Sequence, residues 1–91
     1  MKQTMNFINA LQDQCTGISD DELLEMANSI DDAIGDLLFY SFKHLASYDT
    51  IEKIEARHGR VIPQSRNVFY IKRRRYIESI QRHLAATVAS A

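Results

Sequence analysis

Residues 71–84 read IKRRRYIESIQRHL, four cations in a row followed by isoleucines at 77 and 80, and the fold depends on how this run is folded. An α-helix advances 100° per residue, so Lys72, Arg73, Arg74 and Arg75 leave its axis in four directions. The run is therefore not one patch. Phe69, Tyr76, Ile77, Ile80, Leu84 and Val88 fall on one face, and Arg73 falls inside that arc. Lys72, Arg75, Ser79 and Arg82 share the opposite side, with Arg74 apart from them beside Glu78 at i+4. The spacing predicts a helix over about residues 65–87, whose small, weakly apolar tail LAATVASA frays.

Arg73 then needs a partner, because a guanidinium on an apolar face must reach the rim or meet a carboxylate. Asp32 and Asp36 are the expected carboxylates, within the chain or across a dimer. On that expectation Arg73→Ala costs about 3–5 kcal/mol, as loss of one member of a buried pair does.

Upstream, GRVIPQS at 59–65 is a connector, with Gly59 suited to a left-handed stop and Pro63 to a turn or helix start. Before it the apolar pattern loses phase near ASYDTIEKI, and Asp49 with Glu52 three residues on gives a fresh start signal. A short helix over about 50–58 is expected; an uninterrupted helix from 20 to 58 is the competing reading.

The clearest start signal is ISDDELL at 18–24. Ser19 and Glu22 form a capping box, Ile18 and Leu23 a hydrophobic staple, and Asp20, Asp21 and Glu22 favour the positive end of the helix dipole. A helix over about 20–46 follows, its apolar face built from Leu23, Met26, Ala27, Ile30, Ala33, Ile34, Leu37, Leu38 and Leu45. His44 lies near that face and reads as a core histidine. Glu25, Asp32, Asp36 and Lys43 lie opposite, Phe39 projects to the polar side, and Phe42 lies at the border. Apolar surface beyond one face invites a partner. Met5, Ile8, Leu11 and Cys15 recur at helical spacing before Gly17, which gives a first helix over about 4–15.

The expected fold is all-α, one domain over residues 1–91, a small bundle of three to four helices that forms a homodimer. Charge is unevenly divided along it. Residues 1–45 hold eight carboxylates and two cations, whereas residues 46–91 hold nine cations and four carboxylates. Such halves are expected to pack on each other.

A hydrophobic fraction of 45% with 25% charged residues is that of a folded domain rather than a disordered tail. The lone cysteine, Cys15, reads as a small core residue and places the protein in a reducing, cytoplasmic setting. No signal-peptide core or membrane-spanning stretch is read, since AIGDLLFYSF is short and interrupted by Asp36. His44, His58 and His83 lack a ligand at i+4, so no metal is expected. Asp32 and Asp36, one turn apart, read as a solvated acidic face. No phosphate loop, nucleophile elbow or Cys–His pairing is present in the sequence, so no enzyme, cofactor or small-molecule substrate is expected.

Two functions remain. The first is a small non-enzymatic regulator, of the inhibitor or adaptor type found among mobile elements, that docks on a protein partner through Glu25, Asp32, Asp36 and Phe39 or through the basic stripe. The second is a helix-turn-helix-like DNA-binding regulator using Arg66, Asn67, Lys72, Arg75 and Arg82. The segment from Thr50 to Arg75 has the right order of helix, turn and basic helix, although GRVIP is long for that turn.

Overall fold

The computed structural model of the protein describes residues 11–15 and 17–90, the side chains of 87–90 excepted. Among these, all regular structure is helical. A helical stretch at 11–14 precedes α1 (Asp20–Ile30), α2 (Gly35–His44), α3 (Tyr48–Arg57) and α4 (Arg66–Ser90). The part of the expected first helix over residues 4–10, with Met5 and Ile8, lies outside the described residues, as does the side chain of Val88.

Helix α1 starts where its sequence signal puts it. Ser19 is extended, its hydroxyl accepts the Glu22 N–H at 3.1 Å, and three carboxylates occupy the first turn. A cap of this kind stabilises by about 1 kcal/mol.

The helix expected over 20–46 is two helices, which also removes the uninterrupted 20–58 reading. Asp31 leaves the helical region at φ −164°, ψ 109°, and its Oδ1 accepts the Ala33 N–H at 3.0 Å. Its Oδ2 accepts from Lys72 and from Gln64. An aspartate side chain bonded to the backbone two residues on is a turn-forming device that competes with helix. Gly35 completes the junction. A Cβ there would stand 1.9 Å from the Asn28 Oδ1 and 2.9 Å from the Asn28 Cα, so α2 begins hard against α1. The four residues between the helices amount to about one helical turn, and the apolar rows re-emerge in phase: Leu23 and Ala27 before the turn, Ile34, Leu37 and Leu38 after it, are all buried.

The second break falls near the expected place with a different cap. Leu45 takes a left-handed conformation at φ 53°, its N–H and that of Ala46 both return to the Ser41 carbonyl, and the buried Ser41 hydroxyl donates to the Ala46 carbonyl at 2.7 Å. Ser47, not Asp49, caps α3 by accepting from the Thr50 N–H, so the helix starts two residues early. It closes at His58 with Gly59 at φ 70°.

Helix α4 supplies the centre of the core. Phe69, Tyr76, Ile77 and Ile80 are wholly buried, and Leu84 packs at the edge. Phe42, expected at a border, is buried edge-on to Tyr76 at 6.0 Å between ring centroids. Cys15 is buried as read. His44, expected at the core, is exposed and stacks on Tyr40 at 4.4 Å.

Candidate interaction surfaces

The turn at 31–34 scatters the acidic group. Glu25 is exposed on α1, Asp32 is exposed in the turn, Asp36 is exposed in the first turn of α2, and Phe39 is half-buried against the core. Only Asp36 and Phe39 share a helix. Asp36 also lies within the electrostatic reach of Arg60, whose guanidinium is held by Glu55 at 2.8 and 3.1 Å. The Arg60 hydrogen bond in turn lowers the pKa of the Glu55 carboxyl.

The basic group is divided as well. Lys72, expected on the free stripe, is paired with Asp31, and 25% and 14% of the two side chains are exposed. Hydrogen bonds from Lys72 and then Gln64 lower the Asp31 carboxyl from 3.8 to about 2. Arg66 is paired with Asp49 and lies over the Tyr48 ring at 5.2 Å, and its hydrogen bond lowers the Asp49 pKa. Asn67, Arg75 and Arg82 are exposed, and Arg75 and Arg82 form no ion pair among the described residues.

Arg73 lies in the apolar arc as read, but Asp32 and Asp36 are not its partners. Its guanidinium stacks over the Tyr70 ring at 4.7 Å, and Nη1 donates to the Ser41 hydroxyl at 3.4 Å. The aromatic face supplies the attraction that a carboxylate was expected to give. Tyr70 is itself fixed, its hydroxyl accepting the Tyr48 N–H at 3.0 Å.

With Lys72 paired inward, the exposed stripe of α4 differs from the expected one. Ser79 is half-buried along with Lys72, and the centre of the exposed face moves to Val68, Ile71, Arg75, Glu78 and Arg82. Val68 and Ile71 are large apolar residues left 38% and 46% exposed. The sequence carried the signal for them: Ile71 lies across the helix from Phe69, Tyr76 and Ile80, and Val68 lies on the flank between, about 100° from Phe69.

The α3–α4 unit departs from helix-turn-helix geometry. Its connector spans residues 58–65, twice or more the three to four residues of that motif. Ile62 buries this connector in the core, and the Tyr48 hydroxyl donates to the Gln64 carbonyl at 3.0 Å. At the start of α4, Ser65 accepts from the Val68 N–H, and Arg66 is held by Asp49.

One cleft of about 370 Å³ is lined by Gln12, Cys15, Ile18, Asp20, Leu23, Phe42 and Lys43. Gln12 donates to the Lys43 carbonyl at 2.9 Å, and Lys43 pairs with Asp20 at 3.0 Å. Burial pushes the Cys15 thiol pKa up, which keeps it protonated rather than nucleophilic. Among the described residues no cluster of three metal-ligating side chains forms, and no helix is long and apolar enough to cross a membrane.

Comparison with protein-family models, with curated proteins and with solved structures finds no match.

Proposed function

We propose that this protein is a small non-enzymatic regulator that acts by docking on another protein, and that the outward face of α4 is the docking surface. One observation carries the reading: Val68 and Ile71 stand exposed in line with Arg75 and Arg82, which no carboxylate among the described residues engages in an ion pair. Apolar side chains flanked by arginines are the composition of protein interfaces, where aliphatic contacts exclude water and arginine supplies directional bonds. A nucleic-acid surface would have less need of the two aliphatic residues and more need of free cations. Of the five residues expected to touch nucleic acid, Arg66 and Lys72 are engaged by Asp49 and Asp31.

The test is capture of partners from host extract by the full chain, with and without nuclease, compared with Ile71→Asp. The reading expects nuclease-resistant capture that Ile71→Asp abolishes while the helical circular dichroism spectrum is unchanged. Retention on duplex DNA would instead show a salt slope of roughly −2 to −3, as two to three phosphate contacts give. Capture that nuclease removes and Ile71→Asp leaves intact would replace protein docking with nucleic-acid binding.

A further inference from the structure

We propose that the occupant of the α4 face is an acidic amphipathic helix whose apolar residues cover Val68 and Ile71 and whose carboxylates meet Arg75 and Arg82. This inference rests on the protein-docking reading and adds the chemistry of the partner.

The face is polarised along its length. At 100° per residue, Val68, Ile71, Arg75 and Arg82 fall within roughly 60° of arc, so one straight rod can touch all four. The aliphatic pair lies at the N-terminal end, Arg75 follows about 6 Å beyond Ile71, and Arg82 roughly 10 Å beyond Arg75 at 1.5 Å per residue. A helix with two carboxylates two turns apart on one side, and an aliphatic pair beyond them on the same side, matches this order. Arginine suits the task, since its fork binds a carboxylate through two parallel hydrogen bonds.

The chain's own carboxylates do not fill the role. Asp31, Asp49, Glu55 and Asp20 are taken by Lys72, Arg66, Arg60 and Lys43. Glu78 is exposed within the face but forms no ion pair with Arg74, Arg75 or Arg82 among the described residues. A second copy is a poor occupant, because docking this face on itself sets two arginines and one glutamate against the same excess of positive charge. A phosphate backbone satisfies the arginines but has no apolar surface for Ile71, the more exposed of the aliphatic pair.

The probe is a labelled, alanine-based helical peptide with two leucines a turn apart and two glutamates two turns apart on one side, titrated into the full chain by fluorescence anisotropy. A control peptide of the same composition carries its glutamates on the opposite side. The patterned peptide is expected to bind at least about tenfold tighter than the control, each tenfold being 1.4 kcal/mol. The pair Arg75→Glu with Arg82→Glu should erase that advantage, and replacing the peptide's glutamates with lysines should restore it. Because all these residues face solvent, the variants keep the helical spectrum of the parent.

Equal binding of the two peptides, or charge reversal without effect, would overturn the inference. So would a concentration-dependent dimer in sedimentation that Ile71→Asp dissolves, which would give the face to a second copy, or displacement of the peptide by duplex DNA. If the peptides fail while nuclease-resistant capture from extract still depends on Ile71, protein docking stands and only the acidic partner falls.

Discussion

The ammonium of Lys72 rests against the carboxylate of Asp31, forty-one residues away in the chain, and the turn between α1 and α2 is thereby fastened to α4. Asp31 does three things at once. It ends α1, it accepts the Ala33 N–H that shapes the turn, and it receives Lys72 and Gln64 from the far side of the molecule. The same pair removes Lys72 from the exposed face of α4.

The pH dependence follows from Asp31. Its carboxyl is lowered from 3.8 to about 2 by the folded structure, so its contribution is complete above about pH 4 and is lost as the pH falls toward 2. Urea unfolding across that interval should show a steep loss of stability in the parent. Asp31→Asn should be less stable at neutral pH and show a flatter profile below pH 4; identical slopes for the two proteins would refute the assignment.

Gly35 has no room for a side chain. In Gly35→Ala the added carbon would meet Asn28 at 1.9 Å on its side chain and 2.9 Å on its Cα. We expect a loss of about 1–3 kcal/mol, typical of overpacking, by chemical denaturation. Adding Asn28→Ala should recover only part of it, because removing the amide leaves the α1 backbone still pressed against the new methyl group.

The phenol of Tyr76 donates to the Leu23 carbonyl at 2.8 Å inside the core, and burial raises its pKa. Tyr76→Phe keeps the ring against Phe42 and removes the bond between α1 and α4. A loss of about 0.5–1.5 kcal/mol is expected, the usual net worth of one hydrogen bond. No change in the denaturation midpoint would mean that this bond does not hold α1 to α4.

Arg73 separates the two accounts of its role. A carboxylate-paired arginine would cost about 3–5 kcal/mol on truncation, whereas one stacked on Tyr70 should cost about 1 kcal/mol in Arg73→Ala. Arg73→Met, which keeps the aliphatic reach and removes a half-buried charge, should be neutral or slightly stabilising. A fall in melting temperature as large for methionine as for alanine would show that the charge itself is required.

The sequence made the helices legible where a signal was local. Ser19 with its acidic first turn, Gly59, and the row from Phe69 to Ile80 each carry their meaning within a few residues. The turn at Asp31 was not legible, because its four residues occupy one helical turn and leave the apolar rows in phase on both sides. Periodicity cannot register a break that preserves phase. Gly35 was the remaining clue, and its purpose lies in Asn28, which only the folded chain brings near. The same limit applied to the surface. The division of the basic run among four directions could be read from geometry alone, but the pairing of Lys72 with Asp31 is a long-range choice among several carboxylates.

The compact corner from Asp31 to Gly35 also limits how the chain length can vary. Removing or adding one residue between Asp31 and Gly35 would swing everything downstream by about 100° if the corner kept its shape. A deletion would put Leu37 where Asp36 faces water and Lys43 where Phe42 is buried, and an insertion would put Asp36 where Leu37 is buried. Indels should therefore be poorly tolerated at this corner, while the loop around the 86%-exposed Val61 should accept them far more readily.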